Sequence, residues 1–199
     1  MRAKAIVAAL FFIISLFVAT PAQTGGSQGP SATSQPYVRP DAQTREKRYL
    51  LSMFGPFAIG GDVLAAGLDT ASNSPREWGP HWNGFGKRFA SQLGKGIIHH
   101  STQFALEESF KLDSYYYRST KHDVSSRLRN AITSTFTARR PDGTKTVGFP
   151  RIVGSYTAGI VAAETWYPKR YGLKDGLKSG TLSLGTDILS NLFKEFFHR

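Results

Sequence analysis

Residues 84–110, GFGKRFASQLGKGIIHHSTQFALEESF, decide the fold class. Large apolar residues recur along this stretch at intervals of about four positions, at Phe85, Phe89, Leu93, Ile97 and Phe104. That spacing places them on one face of an α-helix. Asn83, directly before the stretch, is a residue type that caps helix N-termini. We therefore predict a long amphipathic helix from Gly84 to about Phe110.

A row of small residues runs beside the large ones at the same interval, at Gly86, Ala90 and Gly94. Small residues in such a row let the backbone of a neighbouring helix approach closely. The other side of the predicted helix is polar and carries Lys87, Arg88, Gln92 and Lys95. The pattern predicts one face for close helix contact and one solvated face.

Upstream, residues 49–68 form a strongly apolar segment with a single charge, Asp62. Pro56 is expected to kink or break a helix near Phe54 or Gly55. The segment is long enough to span a membrane, but we expect a buried core helix with a broken middle. If the helix is continuous, Asp62 and Asp69 share one face. The many Lys and Arg residues then favour structural ion pairs for both carboxylates over an acid pair for hydrolysis.

Two helices and a turn are predicted between residues 124 and 166. Leu128, Ile132 and Phe136 indicate a helix from about Val124 to Thr137, with a strand over 132–137 as the alternative. Pro141-Asp142-Gly143 predicts a turn, because Pro fixes its own φ and Gly permits a positive φ. Pro150 suits the first turn of a helix that continues to Trp166.

The last helix is predicted from Leu182 to the C-terminus. Its apolar face comprises Leu184, Ile188, Leu189, Leu192, Phe193, Phe196 and Phe197. Its polar face comprises Ser183, Asp187, Asn191, Lys194 and Glu195. Upstream, Gly172, Gly176 and Gly180 are four residues apart, a spacing that packs membrane helices. Because Lys and Arg residues flank these glycines, we expect a loop or a frayed first turn there instead.

The N-terminus predicts export. Residues 1–22 contain two basic residues, an apolar run over 5–19 and a small-residue cleavage site, as in a secretory signal peptide. An uncleaved N-terminal anchor is the alternative. Residues 23–44 are rich in Gly, Ser, Thr, Pro and Gln, which predicts a disordered linker. Residues 45–199 then form one domain.

Charge and cysteine content restrict the partners of an exported chain. Removal of residues 1–22 lowers the formal net charge from +11 to +9, because Arg2 and Lys4 are lost and no acidic residue is. Outside the cytoplasm, we expect such a surface to face anionic lipid, polysaccharide or envelope polymer rather than nucleic acid, with a solvated basic surface that binds no ligand as the alternative. The chain has no cysteine, so it forms no disulfide and no lipid-modified cysteine. We predict a periplasmic or envelope-membrane location.

No motif assigns a catalytic, cofactor or metal site. His99 with Gln103, or His100 with Glu107, could share a metal ion, but neither pair has the compact spacing of known zinc motifs. Ser155 lies in GSYTAG without the strand and turn that present a nucleophile. The tyrosine-rich segment 115–118, with Lys121, could stack sugars or anchor at a membrane interface. We predict neither a cofactor nor a metal.

Four motifs resemble a group of small exported bacterial proteins of acidobacterial type, which have no assigned function. They are WGPHWNGFGKRF at 78–89, DSYYYR at 113–118, WYP at 166–168 and GTDILSNLFKEF at 185–196. The similarity covers roughly residues 78–197. It implies an independent mature domain and carries no activity, cofactor or site residue with it.

These observations predict a mainly α domain of about five helices, with a turn or short hairpin near residues 137–149. We expect a non-enzymatic, envelope-associated structural or interaction protein that uses amphipathic helices and a basic surface. Its partner would be anionic lipid, envelope polymer, another protein or a second copy. The alternatives are a small integral membrane protein, built on residues 49–68 and 152–166, and a hydrolase of envelope polymer.

Overall fold

The computed structural model describes residues 37–197. The predicted signal peptide (1–22) and residues 23–36 of the predicted linker lie outside this range. The described chain contains six α-helices and one antiparallel hairpin. In chain order these elements are α1 (Ala42–Phe54), α2 (Pro56–Ala71), α3 (Trp82–Phe110), α4 (Val124–Thr135), β1 (Thr137–Arg139), β2 (Lys145–Val147), α5 (Phe149–Thr165) and α6 (Leu173–Phe196). The prediction of a mainly α domain is confirmed. The predicted number of about five helices treated α1 and α2 as one helix with a broken middle.

The first helical unit begins inside the segment predicted as a linker. Tyr37 donates a hydrogen bond to Asp113 (2.6 Å), and the Asp41 side chain caps α1 by accepting from the Thr44 N–H. Residues 37–44 are therefore ordered, and the prediction of disorder is wrong for them. The polar composition of the segment does not indicate that Tyr37 and Arg39 bind distant residues, which are Asp113 and Glu108.

The break at Pro56 is confirmed. α1 ends at Phe54, Gly55 is extended, and Pro56 opens α2. Proline is suited to the first position of a helix because it lacks the N–H that would be unpaired there. Together, Ala42–Ala71 is the one helical unit in residues 37–197 that is long and apolar enough to cross a membrane.

The hairpin near residues 137–149 is also confirmed. Thr137 pairs with Val147 and Arg139 with Lys145, and Gly143 has a φ of 84° in the turn. The Asp142 side chain accepts from the Thr144 N–H at 2.9 Å and fixes the turn. Residues 132–137 were predicted to be helical, with a strand as the alternative. The structure contains both, since α4 runs to Thr135 and β1 starts at Thr137.

α5 and α6 pack closely through glycines. A Cβ on Gly176 would lie 2.6 Å from the Ile160 Cα, and one on Gly180 would lie 2.9 Å from the Tyr156 Cα. The expectation of a loop or frayed turn over 172–180 is wrong, because Gly172 caps α6 and Asp175 accepts from the Gly172 N–H. The flanking lysines point to solvent while the glycines face α5, so both can occupy one helix.

The glycine contact turns the buried face of α6 away from the predicted one, although Leu184 is buried as predicted. Gly176, Gly180, Leu184, Asn191 and Glu195 are its buried residues. Leu189, Phe193 and Phe197 were predicted to face the core but are exposed. The prediction is wrong because Asn191 and Glu195 continue the face on which the glycines lie. Contact with α5 therefore turns that face inward.

Small residues also fill the rest of the core. Half of the buried hydrophobic residues are alanines: Ala66, Ala131, Ala138, Ala158, Ala162 and Ala163. α5, which includes the apolar segment 152–166, lies between α3 and α6 and has ten buried residues of its seventeen. This segment is the central helix of the described fold.

Three predicted details of α3 are wrong. His81, not Asn83, precedes the helix, which starts at Trp82. Of the predicted small-residue row, Gly94 approaches Trp166, whereas a Cβ on Gly86 would meet nothing within 4 Å. Arg88, assigned to the solvated side, is buried instead. The neighbour that covers this side of α3 is the loop after α2, which sequence periodicity does not reveal.

We predict that Gly176→Ala lowers the free energy of unfolding by about 1–3 kcal/mol, because the added methyl group forces α5 and α6 apart. Gly86→Ala is the matched control. Its methyl group meets nothing within 4 Å, so it should raise stability by about 0.5–1 kcal/mol. Urea unfolding followed by circular dichroism measures both. Equal effects of the two substitutions would contradict close packing at Gly176.

Candidate functional site

One long apolar surface follows α1 and α2. Its large side chains are between 46% and 73% exposed. They are Leu50, Leu51, Phe54, Phe57, Val63, Leu64 and Leu68, and we call them the α1–α2 face. Leu50 and Phe54 are four residues apart and share a face of α1, and Phe57, Leu64 and Leu68 share a face of α2, so each helix presents an exposed apolar stripe.

The size of this surface is unusual for a protein dissolved in water. At roughly 100 Å² for each half-exposed large side chain, the α1–α2 face covers on the order of 700 Å². The largest apolar patch on a typical soluble monomer is about 300–600 Å² and often functional. Only 17% of the most apolar window of Ala42–Ala71 is buried. The predicted buried core helix is therefore wrong, because α2 contacts its neighbour through one narrow side.

That narrow side carries the polar groups of α2. Asp69 accepts a hydrogen bond from the Gln92 amide at 3.0 Å, and Thr70 lies next to Arg88. Burial raises the pKa of Asp62, and the charge of Lys95 opposes that shift. Asp62 and Asp69 do share one face, as predicted. Neither carboxylate has a cation within 4 Å among residues 37–197, so the prediction of ion pairs is wrong. Instead, α3 presents the Gln92 amide to Asp69 and the more distant Lys95 ammonium to Asp62.

Arg88 fixes the loop that joins α2 to α3. Its side chain is 1% exposed. The guanidinium donates to the carbonyl oxygens of Ser74 (2.8 Å), Pro75 (2.8 Å) and Gly79 (2.7 Å). Backbone carbonyls thus satisfy a buried cation, as burial requires. This anchor holds α2 against α3 with its apolar stripe turned outward.

A second apolar surface lies on α6. Leu182, Leu189, Phe193 and Phe196 are exposed at helical spacing on the side opposite the glycines. Behind them, the buried Glu195 forms an ion pair with Arg127 at 2.9 Å and accepts hydrogen bonds from Tyr116 and the Ser119 N–H. Glu195 on the polar side of α6 is therefore satisfied internally, whereas the apolar side of the helix is left to the surroundings.

The tyrosine-rich segment 115–118 is organised by Asp113. One carboxylate oxygen of Asp113 accepts from both Tyr37 (2.6 Å) and Tyr117 (2.7 Å). The other accepts from the Tyr115 N–H at 2.9 Å. The backbone of Asp113 also pairs with Arg139 of the hairpin. These bonds join the start of the described chain, the tyrosines and the hairpin into one unit.

The cations at this unit come from distant parts of the chain. The Arg48 guanidinium lies 3.9 Å from the centre of the Tyr115 ring. The Arg139 guanidinium lies 5.0 Å from the Tyr117 ring and 5.3 Å from the Tyr37 ring. Sequence reasoning noticed the tyrosines but grouped them with Arg118 and Lys121. It missed Arg48 and Arg139, because only the fold brings α1 and the hairpin to the tyrosines.

A buried polar layer lies between α3, α5 and α6. Burial, with the nearby charge of Arg151, lowers the pKa of His99 to about 4. Burial and the neighbouring His99 lower the pKa of His100 to about 3. Burial raises the pKa of Asp187. His99 Nε2 and Asp187 Oδ2 are buried and accept no hydrogen bond from residues 37–197.

The residues weighed as catalytic or metal sites do not converge. The His99 and His100 rings stack on each other, 4.7 Å apart, and the Gln103 amide donates to Glu107. Residues 37–197 contain no group of three His, Cys, Asp or Glu side chains placed to hold a metal ion. Ser155 is buried within α5, away from any strand and turn that could present it as a nucleophile.

Comparison of the chain with protein-family models, curated proteins and solved structures found no match.

We predict that the two buried histidines make stability fall in acid. An unfolded histidine takes up a proton near pH 6.5, whereas His99 and His100 resist protonation to about pH 4 and 3. The stability that they allow at neutral pH is therefore lost as pH falls from about 6.5 toward 3. The free-energy difference between wild type and His100→Gln should shrink by about 3 kcal/mol between pH 7 and pH 4.

The comparison with His100→Gln separates this effect from the buried acids, which are present in both proteins. His122→Gln is the control, since His122 is exposed. Urea unfolding at pH 7, 5.5 and 4 measures the difference. A difference that stays constant with pH would show that His100 titrates normally in the folded protein.

Proposed function

We propose that this protein is an exported, non-enzymatic envelope protein that attaches to an anionic membrane through the α1–α2 face. The observation that carries the proposal is the stripe of seven exposed, large apolar side chains on two consecutive helices. Moving such side chains from water into an apolar medium releases about 25 cal/mol for each Å² covered. A stripe of this size therefore favours an apolar environment strongly.

The stripe favours attachment in the plane of the membrane over a transmembrane span. α2 runs beside α3: Asp62 approaches Lys95 near one end of the contact, and Thr70 approaches Arg88 near the other. A span by α2 would take the exposed Lys87 and the ionisable groups of α3 into hydrocarbon, at high cost. An amphipathic helix in the interface buries its apolar stripe and keeps its polar side in protein and water.

The charge of the chain favours an anionic membrane. The formal net charge is +11, and +9 without residues 1–22. Lys47 is exposed just before the apolar stripe begins. Each Lys or Arg near an anionic leaflet contributes about 1 kcal/mol to attachment. Arg45 and Arg48 lie on the same helix, but they are engaged by Glu108 and Tyr117.

Vesicle co-sedimentation tests the proposal. The 199-residue chain is expressed through the export pathway, and mass spectrometry of the purified protein defines its N-terminus, which we predict to be Gln23. Leu64→Ser/Leu68→Ser removes two side chains of the α1–α2 face that are 65% and 63% exposed. We expect at least about tenfold weaker binding to vesicles of phosphatidylglycerol and phosphatidylcholine.

The matched control is Val38→Ser/Val124→Ser. It removes two side chains that are 78% and 64% exposed but lie outside the α1–α2 face, and it should bind vesicles like wild type. Equal binding by all three proteins would overturn the proposal. The proposal would also be overturned if wild type does not bind vesicles but forms a dimer in sedimentation velocity, and if Leu64→Ser/Leu68→Ser dissociates that dimer. That second result would make the face an interface between copies.

A further inference from the structure

A shallow cleft lies between the hairpin and the tyrosine-rich segment. Its lining combines aromatic rings, hydroxyl groups and two cations, from Tyr115, Tyr117, Ser134, Thr137, Arg139 and Lys145. Nothing in the membrane attachment proposed above uses these groups. The cleft therefore requires an explanation of its own.

The two cations face each other across the hairpin. Arg139 and Lys145 are direct partners in the antiparallel register. Like charges at directly opposite positions of a strand pair destabilise it. Partial burial and the charge of Arg139 together lower the pKa of Lys145. The hairpin thus holds two positive charges together against their repulsion.

No carboxylate of the described chain neutralises this pair. Within residues 37–197, neither Arg139 nor Lys145 has an acidic oxygen within 4 Å. Asp113 is the acidic residue in the lining of the cleft. Both of its carboxylate oxygens already accept hydrogen bonds, from Tyr37, Tyr117 and the Tyr115 N–H. Asp113 orders the tyrosines and does not pair with the cations.

The arginine is held in position without use of its N–H groups. The Arg139 guanidinium lies over the rings of Tyr117 and Tyr37, at 5.0 and 5.3 Å. Stacking on a ring face leaves the donors at the edge of the guanidinium free. Its side chain donates no hydrogen bond to residues 37–197, whereas its backbone is fixed by Asp113 on one side and Lys145 on the other. A positioned guanidinium with free donors is suited to a two-point contact with an oxyanion.

We propose that this cleft binds a phosphate group, with Arg139 and Lys145 as the cationic contacts and the hydroxyl of Ser134 at its edge. A bound phosphate neutralises the cross-strand repulsion and occupies the free donors of Arg139. The phosphate could belong to a lipid headgroup or be free in solution, and the experiment separates these two sources. The cleft is independent of the α1–α2 face, so either proposal can fail alone.

The test uses the variant Arg139→Gln/Lys145→Gln and two probes. Isothermal titration with glycerol phosphate measures binding of the soluble group. Vesicle binding is compared between phosphatidylglycerol, whose phosphate charge is not balanced, and phosphatidylcholine, whose phosphate charge is balanced by the choline cation. The control is Lys169→Gln/Lys174→Gln, which removes the same charge from two exposed lysines. Those lysines lie near the start of α6, whereas the tyrosine-rich segment contacts the other end of α6 through the hydrogen bond from Tyr116 to Glu195.

We expect the cleft variant to lose at least tenfold in glycerol phosphate affinity, and the control to keep wild-type affinity. If the cleft variant also loses the preference for phosphatidylglycerol, the headgroup is the ligand. If that preference is unchanged, the source is a soluble phosphate. The variant removes a like-charge pair, so its unfolding midpoint should not fall, and Lys145→Gln alone provides a milder version. Absence of glycerol phosphate binding by wild type, or equal binding by both double variants, would overturn the proposal.

Discussion

The close contact of α5 and α6 at their glycines is the constraint on which the rest of the structure depends. Gly176 and Gly180 leave no room for a side chain against Ile160 and Tyr156. A helix that must turn its glycines inward also turns inward every residue on the same face. For α6 that face continues through Asn191 to Glu195. Polar residues are therefore inside, and the leucines and phenylalanines on the opposite side of α6 are outside.

Three buried polar residues, Arg88, Asn191 and Glu195, are tolerated because another element supplies a partner to each. Asn191 donates to the Thr135 hydroxyl at 3.0 Å, and Glu195 pairs with Arg127. Arg88 is satisfied by three loop carbonyls. Such contacts give a defined arrangement but little hydrophobic free energy, since hydrogen bonds largely replace those made with water. The large apolar side chains that could supply it are exposed on α1, α2 and α6.

Sequence reasoning predicted the elements well and their orientation poorly. Helical spacing identified α3 and α4, proline identified the break at Pro56 and the start of α5, and Pro141-Asp142-Gly143 identified the hairpin turn. Those signals are local, so they do not depend on neighbours. Which face of a helix is buried does depend on neighbours. The usual rule that apolar faces turn inward failed for α6 and α2, where glycines or a narrow polar edge make the contact.

The candidate sites show the same limit. The tyrosine-rich segment was noticed because it is contiguous, but its organising residues Asp113, Arg48 and Arg139 are distributed over 92 positions of sequence. The like-charge pair in the cleft depends on hairpin register, which two three-residue strands do not reveal. Arg88 was assigned to solvent because its partners are backbone carbonyls, which carry no side-chain signal. Long-range contacts of this kind require the fold.

The most direct test of the account is a spin-label scan of α2 on vesicles, which the absence of cysteine in the chain makes simple. Single cysteines at residues 57–70 are labelled, and collision with oxygen and with a water-soluble nickel complex is measured at each. Attachment in the plane of the membrane predicts that oxygen access varies with the helical period. Access should be high at Phe57, Leu64 and Leu68 and low at Ala66, and the positions of high access should lie at similar depth in the membrane. Water access without period along α2, or a depth that changes steadily from residue 57 to 70 as in a span, would contradict it.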